Sequence, residues 1–220
     1  KHTPEGYARA KQCFEQALET DPDYTLALLG LAEFYWQNAF YGFQYPRDAL
    51  VLAKQAASRA LESDDALAEA HALLGTLRGV ADYDWEGAGA AFRRALELDP
   101  NSPYVLFRYA NFYLWPQTQA EEASALLERV LAVDPLWVLA HWVLGYYVYA
   151  RKQYDRAVHH LHAVIEMEPG FYLAHCVLGL VYTQQEMHLK ALQALERACA
   201  LSPGNAFTRG VLAYALGKSG

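Results

Sequence analysis

Histidines are the residues of this chain whose type and spacing come nearest to a metal site. His141 and His175 lie 34 residues apart, each within a Leu-Ala-His sequence, and His71 follows a similar Ala-Glu-Ala. A recurring imidazole could form a ladder of zinc ligands. Neighbouring helices lie about 10 Å apart, whereas Zn–N bonds are about 2 Å long, so two such rings reach one ion only if both point inward. We therefore interpret these histidines as half-buried side chains between helices.

The other titratable residues form no catalytic constellation. His159, His160 and His162 crowd one segment, but no cysteine or carboxylate joins them at a ligand spacing, so we expect a solvated helix face. Asp82 and Asp84 are explained by a turn in which Asp84 caps the next helix. Phosphate loops, nucleophile motifs and zinc signatures do not occur in the sequence. The sequence therefore predicts a protein that is not an enzyme and that uses no metal or cofactor.

The helices that position these residues are encoded by a repeat. Val138–Phe171 and Tyr172–Asn205 are consecutive blocks of 34 residues each. Residues shared in register include Leu139/Leu173, Ala140/Ala174, His141/His175, Leu144/Leu178, Gly145/Gly179, Ala157/Ala191, Leu161/Leu195 and Pro169/Pro203. A fixed period of this length predicts stacked pairs of antiparallel helices rather than one closed globule.

Small residues and prolines explain how each pair folds. Gly145 and Gly179 let the second helix of a pair approach the first, and Ala157 and Ala191 match them on the second helix. A proline then ends each second helix. This pattern resembles the tetratricopeptide repeat (TPR). The resemblance implies an all-α TPR solenoid, a right-handed superhelix of antiparallel helix pairs with about twelve helices.

The chain is predicted to be a single TPR array over residues 1–220. Residues 1–24 are the second helix of a truncated repeat, with Thr3 as its cap. A loop at Asn38–Arg47 lengthens the first full repeat, and Trp115-Pro116 breaks the first helix of the third. The full repeats are 25–67, 68–102, 103–137, 138–171 and 172–205, and 206–220 is the first helix of a further repeat.

Composition excludes several classes of partner. The net charge of −7 argues against nucleic acid or an anionic membrane surface. Leu136–Ala150 is the most apolar run, but it is shorter than the roughly 20 residues that a spanning helix needs. The chain has three cysteines, Cys13, Cys176 and Cys199, each inside a predicted helix. An odd number in such positions does not form a disulfide framework, so we expect reduced thiols. We therefore expect a cytoplasmic protein without a membrane segment.

Several stretches resemble a narrower group, the TPR modules of bacterial regulatory proteins. They are TPEGYARAKQCFEQALETDPDY, LLGLAEFY, ALAEAHALLG, DYDWEGAGAAFRRALELDPN and ARKQYDRAV, in this order. The turn at Asp82–Trp85 is the most distinctive part. Such modules typically lie C-terminal to a serine/threonine kinase, a nucleotide cyclase or a winged-helix regulator. The resemblance covers nearly the whole chain and implies a sensing or scaffolding array in signalling.

The first helices of TPR arrays line a concave inner surface, where we expect a partner-binding groove. Its predicted residues are Glu33, Trp36, Gln37, Tyr104, Phe107, Arg108, Asn111, Trp115, Trp142, Tyr146 and Tyr149. Exposed aromatic side chains of this kind favour binding of an apolar peptide segment or of the chain's own effector domain. Only Arg108 and Asn111 resemble a clamp for a terminal carboxylate, so we expect none. In an alternative interpretation the array curls tightly and the rings pack on one another.

The sequence is also consistent with two further functions. In the first, the same aromatic residues close around an apolar small molecule, and the module is a sensor. In the second, the chain is a spacer or a self-association module, because neither terminal helix reads as the polar cap that a finished solenoid needs.

Overall fold

The chain is almost entirely helical. The structure is a computed structural model that describes residues 4–40 and 44–219. Within these ranges it contains twelve α-helices and no strand, so the predicted all-α fold is confirmed. The predicted cap Thr3, residues 41–43 of the predicted loop, and residue 220 lie outside the described residues. The helices are α1 (Pro4–Thr20), α2 (Thr25–Phe40), α3 (Pro46–Ser63), α4 (Ala68–Leu77), α5 (Trp85–Leu98), α6 (Pro103–Tyr109), α7 (Ala120–Val133), α8 (Val138–Ala150), α9 (Tyr154–Met167), α10 (Tyr172–Gln184), α11 (His188–Leu201) and α12 (Ala206–Lys218).

Two compact units divide these helices. Unit 1 is Lys1–Gln119, with α1 to α6, and unit 2 is Ala120–Gly220, with α7 to α12. In unit 1, α2 packs on α3 and α4 on α5; in unit 2, α8 packs on α9 and α10 on α11. The pairs are joined through α3 and α4 in unit 1 and through α9 and α10 in unit 2. Each unit is therefore assembled from helices that are close in sequence, as the repeat predicts.

Close contact within each pair occurs at the predicted small residues. A Cβ atom placed on Gly179 of α10 lies 2.4 Å from Cγ of Leu195 on α11. A Cβ atom on Gly75 of α4 lies 2.9 Å from the ring of Phe92 on α5. Leu195 and Phe92 are fully buried. The glycine thus allows a large apolar side chain of the second helix to lie directly against the first helix.

Aspartates end the second helices together with the prolines. Asp99 and Asp134 each accept, through Oδ1, the backbone N–H two residues later, at 3.0 and 3.1 Å. Asp64 makes the same contact at 3.0 Å although Asp65 replaces the usual proline. This is an Asx turn, in which a short carboxylate supplies the acceptor that the ending helix no longer provides. At these three helix ends the aspartate makes this contact whether or not a proline follows it.

The first helices of unit 1 end in ways that only partly match the sequence pattern. Helix α2 continues through Phe40 and α3 begins at Pro46, so the predicted bounds of the loop, Asn38–Arg47, are too wide. The side chain of Asn38 donates to the carbonyl of Phe34 at 2.9 Å within the helix. Helices α4 and α6 continue into π-helical turns at Arg78–Asp82 and Ala110–Leu114. The second turn ends immediately before Trp115-Pro116, as predicted.

Adding a methyl group to a glycine at a helix contact tests this packing. We expect Gly179→Ala to lower the free energy of unfolding by about 1–3 kcal/mol, because the new methyl group overlaps Leu195. Gly210→Ala on α12 is the matched control: a Cβ there has no atom within 4 Å, so higher helix propensity should stabilise it by up to about 1 kcal/mol. Urea unfolding followed by circular dichroism measures both changes. Stabilisation by both substitutions would contradict the packing argument.

Candidate functional site

In unit 1 the predicted groove residues meet around one guanidinium group. Nη2 of Arg108 on α6 donates to Oε1 of Glu33 on α2 at 2.5 Å, and the hydroxyl of Tyr104 donates to the same oxygen. Nη1 of Arg108 donates to Oγ1 of Thr76 on α4 at 3.2 Å. One ion pair therefore ties together the first helices α2, α4 and α6, whose residues are far apart in sequence.

Three aromatic rings surround the same guanidinium. Cζ of Arg108 lies 4.8 Å from the ring centroid of Tyr104, 5.7 Å from that of Trp36 and 5.8 Å from that of Phe112. All three distances fall within the roughly 6 Å over which a cation is attracted to a ring face. The rings of Trp36 and Phe112 also contact each other edge to face, with centroids 5.2 Å apart. The cluster thus combines an ion pair with a cation–π cage.

Burial and the ion pair act on Arg108 in opposite directions. Burial lowers the pKa of its guanidinium below the ordinary value, while the charge of Glu33 and its hydrogen bond raise it. An arginine remains protonated at physiological pH even so. A buried charge of this kind requires a partner, and Glu33 supplies it.

Several predicted groove residues of unit 1 are buried rather than exposed, so the prediction of an open surface is wrong for them. Trp36, Phe107 and Arg108 were expected on an open surface, but they are only 5, 9 and 5% exposed. The reason is that α2 and α6 approach each other across α4, so in unit 1 the rings pack as the tight-curling alternative supposes. Gln37, Asn111 and Trp115 are half-buried. Partner binding by any of these residues stays a prediction.

In unit 2 the predicted groove residues lie on α8 and are more open. Tyr146 is 40% exposed, and its ring centroid lies 6.3 Å from that of Tyr149. Trp142 packs on Phe171, with centroids 5.8 Å apart. The indole Nε1 of Trp142 is buried and has no hydrogen-bond acceptor among the described residues. A buried donor without an acceptor costs about 1–3 kcal/mol.

Two tyrosines that the sequence pattern did not select join this face. Tyr154, at the start of α9, has its ring 6.3 Å from that of Tyr149. Tyr214 of α12 accepts a hydrogen bond from Nε2 of Gln184 at 3.1 Å. The pKa of Tyr149 is raised first by burial and then by the electrostatic effects of Tyr214, Tyr154 and Tyr146. We call Tyr146, Tyr149, Tyr154 and Tyr214 the tyrosine cluster.

Unit 2 also contains a polar cavity of about 330 Å³ beside the turn between α8 and α9. Its lining residues are Lys152, Gln153, Tyr154, Asp155, Arg156 and Gln185. None of them is a predicted groove residue. This cavity therefore gives no support to an apolar small-molecule site formed by the predicted aromatics.

The recurring histidines hold helix starts in place. Nε2 of His71 lies 2.9 Å from the carbonyl oxygen of Asp65, and the same atom of His141 and His175 lies 3.1 and 3.3 Å from the carbonyls of Pro135 and Pro169. Each ring thus bonds the turn six residues before it, and the three are half-buried as predicted. In the described ranges no three His, Cys, Asp or Glu side chains are grouped closely enough to bind a metal ion.

His160 does not lie on a solvated face, which corrects the expectation for that segment. It is half-buried, and its Nδ1 lies 3.1 Å from Nδ1 of His141. Because Nε2 of His141 bonds a carbonyl, Nδ1 of a neutral His141 is the acceptor and His160 donates. Burial, followed by the charges of His141, His159 and Arg156, lowers the pKa of His160 to about 4. His159 and His162 are exposed, as expected.

The buried ion pair of unit 1 gives a prediction for stability. Arg108→Leu leaves the Glu33 carboxylate without its cation, so we expect the free energy of unfolding to fall by about 3–5 kcal/mol. Replacing both residues by leucine should recover much of that loss, because no unpaired charge remains. The half-exposed pair of Lys54 and Asp82 is the control, and Lys54→Leu should cost at most about 1 kcal/mol. Equal losses in urea unfolding of the two single variants would contradict this interpretation.

His160 gives a prediction for pH dependence. Its pKa of about 4 in the folded chain is below the ordinary value of 6.5, so between these values the unfolded chain binds a proton that the folded chain does not. The free energy of unfolding should therefore fall as the pH is lowered through this range. His160→Gln removes the titrating ring and should flatten the dependence. Urea unfolding across the range measures both slopes, and identical slopes would contradict the assignment.

Comparisons with known proteins match this geometry. Two family models, both described as tetratricopeptide repeat, match residues 80–141 and residues 5–39 and 147–206. No curated protein sequence matches the chain. No helix among residues 4–40 and 44–219 has both the length and the apolar character to cross a bilayer.

Several solved structures share the fold at low identity. A chain of the APC/C hetero-tetramer Cut9–Hcn1 is 19% identical with a TM-score of 0.81, covering 96% of this chain and 40% of that one. YrrB, a TPR protein with an unusual peptide-binding site, is 21% identical with a TM-score of 0.59. The match covers 91% of this chain and 98% of the YrrB chain. Human IFIT1, solved as a dimer with m7Gppp-AAAA, is 22% identical with a TM-score of 0.79. The match covers 92% of this chain and 48% of the IFIT1 chain. The chain thus spans less than half of the Cut9–Hcn1 and IFIT1 chains.

These likenesses show the fold, and the family models identify its class. The matched ranges together cover most of the sequence and include helices of both units. The paired helices, the glycine contacts and the closing prolines are the features that the repeat requires. The chain therefore belongs to the tetratricopeptide repeat family.

Proposed function

We propose that this chain is a non-catalytic interaction module that binds an apolar peptide segment of a protein partner on the first-helix face of unit 2. TPR proteins mediate protein–protein interaction, and the fold is generally a scaffold rather than a catalyst. The related structure of YrrB is described as having a peptide-binding site. The proposal assigns the same type of partner to this chain.

The observation that carries the proposal is the difference between the aromatic faces of the two units. In unit 1 the rings of Trp36 and Tyr104 surround the chain's own Arg108. In unit 2, Tyr146 is 40% exposed on α8, beside Tyr149 and one turn after Trp142. Partly exposed aromatic rings of this kind are enriched among the residues that contribute most to protein binding. The face of unit 2 is therefore the better candidate.

A clamp for a terminal carboxylate is not part of the proposal. Such a clamp needs a cation that is free to meet the ligand, whereas Arg108 is bonded to Glu33 and Thr76. Glu33 in turn accepts from Tyr104. Affinity on unit 2 instead comes from apolar burial on Trp142 and Tyr146, with polar contacts to the peptide backbone. Gln37, Asn111 and Trp115 remain predictions for partner contacts in unit 1.

We also propose that this chain is part of a larger regulatory protein. The stretches that resemble bacterial regulatory TPR modules support a place in a larger cytoplasmic signalling or transcription-regulatory protein. The partner segment then belongs either to a separate protein or to the chain's own effector domain, a kinase, a cyclase or a winged-helix domain. The shares of the Cut9–Hcn1 and IFIT1 chains that this chain spans, 40 and 48%, are compatible with that setting.

Peptide selection tests the proposed face. Peptides selected from a random display library against the protein should be rich in apolar residues, and their affinity is then measured by fluorescence polarisation. We expect Trp142→Ala and Tyr146→Ala each to weaken binding about tenfold, because both remove aromatic contact area. Leu189→Ala on α11 is the control: this side chain is 80% exposed on a second helix, and its loss should leave affinity unchanged.

Circular dichroism and thermal unfolding establish that each variant is folded. Unchanged affinity in folded Trp142→Ala and Tyr146→Ala proteins would place the binding surface elsewhere and refute the proposal. Weakening by Leu189→Ala to the same extent would also refute it, because the effect would then not be specific to the first-helix face.

A further inference from the structure

We propose that the tyrosine cluster of unit 2 binds an arginine side chain of the partner segment. This inference rests on the proposed function and specifies the chemistry of the partner. The cluster consists of Tyr146 and Tyr149 on α8, Tyr154 on α9 and Tyr214 on α12. The ligand group is a guanidinium, placed against the ring faces.

Unit 1 provides an example of this contact within the same chain. The guanidinium of Arg108 lies 4.8 to 5.8 Å from three ring centroids, on α2 and on the segment that begins at α6. Two of those rings, Trp36 and Phe112, are 5.2 Å apart and tilted at 88°. The inner side of these first helices therefore accommodates a guanidinium among rings when the chain supplies one.

The repeat register shows that unit 2 supplies no arginine at the matching place. Arg108 is the sixth residue of the predicted repeat that begins at Pro103. The sixth residues of the repeats beginning at 138, 172 and 206 are Val143, Val177 and Val211. Helices α8 and α10 contain no lysine or arginine at all. Of the ring positions of unit 1, the tenth and the twelfth are also aromatic in the repeat beginning at 138, as Tyr147 and Tyr149, while valine occupies the position of the internal cation.

The helix arrangement around the two clusters is alike. In unit 1, α2 and α6 meet across α4; in unit 2, α8 and α12 are separated by α10 in the same way. Tyr149 of α8 and Tyr214 of α12 are close enough to interact electrostatically. The rings of Tyr146 and Tyr149 and those of Tyr149 and Tyr154 are each 6.3 Å apart and tilted by 39 and 41°. Ring contacts therefore join Tyr146, Tyr149 and Tyr154, and Tyr214 is linked to the end of the neighbouring α10 through Gln184.

The cluster can be reached from solvent. Tyr146 is 40% exposed and Tyr214 is 43% exposed, whereas the guanidinium cage of unit 1 is buried. Side chains of a partner segment lying along α8 therefore meet ring surface directly. Because Tyr214 belongs to α12, a bound side chain that touches both it and Tyr149 also spans the inner side of unit 2.

The chemistry of the cluster favours a guanidinium over other groups. Ring faces carry negative electrostatic potential, so they attract a cation and disfavour a carboxylate. Arginine stacks on rings through its planar group and loses less hydration than a lysine ammonium. Gln184 donates from Nε2 to Tyr214, which leaves its side-chain oxygen able to accept a guanidinium N–H. These features together select arginine.

Peptide pools that differ at one position test the inference. The pools are short peptides degenerate at every position except the central one, which is arginine, citrulline, lysine or glutamate. Citrulline has the shape of arginine without its charge. We expect the arginine pool to bind the wild-type protein about three- to tenfold more tightly than the citrulline pool, the range of a cation–π contact. Equal binding of these two pools would overturn the inference.

Variants of the cluster locate the contact. Tyr149→Leu and Tyr214→Leu should abolish the preference for arginine over citrulline, because each removes a ring. Tyr149→Phe keeps the ring and should retain the preference, as should the control Leu189→Ala. Tyr214 is 43% exposed, so its leucine variant provides the test even if Tyr149→Leu does not fold. A preference that survives in folded Tyr214→Leu protein would also overturn the inference.

The two proposals fail in distinguishable ways. If all pools bind equally and Trp142→Ala weakens them all, the arginine contact is wrong and the proposed peptide face stands. If neither Trp142→Ala nor Tyr146→Ala changes binding of any pool, the peptide face is wrong and the arginine contact falls with it.

Discussion

Close contact of a first helix with the second helix of its pair is the constraint on which each unit depends. At Gly75 and Gly179 the backbone of the first helix lies against Phe92 and Leu195 of the second, and any larger residue would have to displace them. The contact orients the pair, so one side of the first helix is buried against its partner and another side faces inward. Inner residues such as Trp142 and Tyr146 acquire their position from this contact rather than from their own chemistry.

The inner sides of the two units use aromatic residues differently. In unit 1, Arg108 and Glu33 tie α2 to α6, and Trp36, Tyr104 and Phe112 close around the pair. The ion pair is largely buried, so removing one of its two partners leaves an uncompensated charge and is costly. In unit 2 the matching positions are valines and the tyrosines remain partly exposed. The same repeat therefore produces a closed cluster in one unit and a more open face in the other.

Residues that look functional in the sequence can have a structural role. The histidines at 71, 141 and 175 recur like metal ligands, yet each bonds the carbonyl of the preceding turn. The aspartates before the closing prolines have a similar local role, because each accepts the N–H of the residue two positions later. Recurrence in a repeat protein thus reports first on the fold of the repeat unit. Residues that break the recurrence, such as Arg108, are better indicators of special chemistry.

The sequence by itself determined the helix pairs, their order and their small-residue contacts, because these depend on interactions within about 34 residues of the chain. It also placed Asp84 correctly as a helix cap, where its side chain accepts from the N–H of Gly87 at 2.9 Å. Only the tertiary structure decided which inner residues are buried. The contacts of Arg108 with Glu33 and of Trp36 with Phe112 join first helices two repeats apart, and they depend on how tightly successive pairs pack. That packing is set by many side chains at once, so no single motif encodes it.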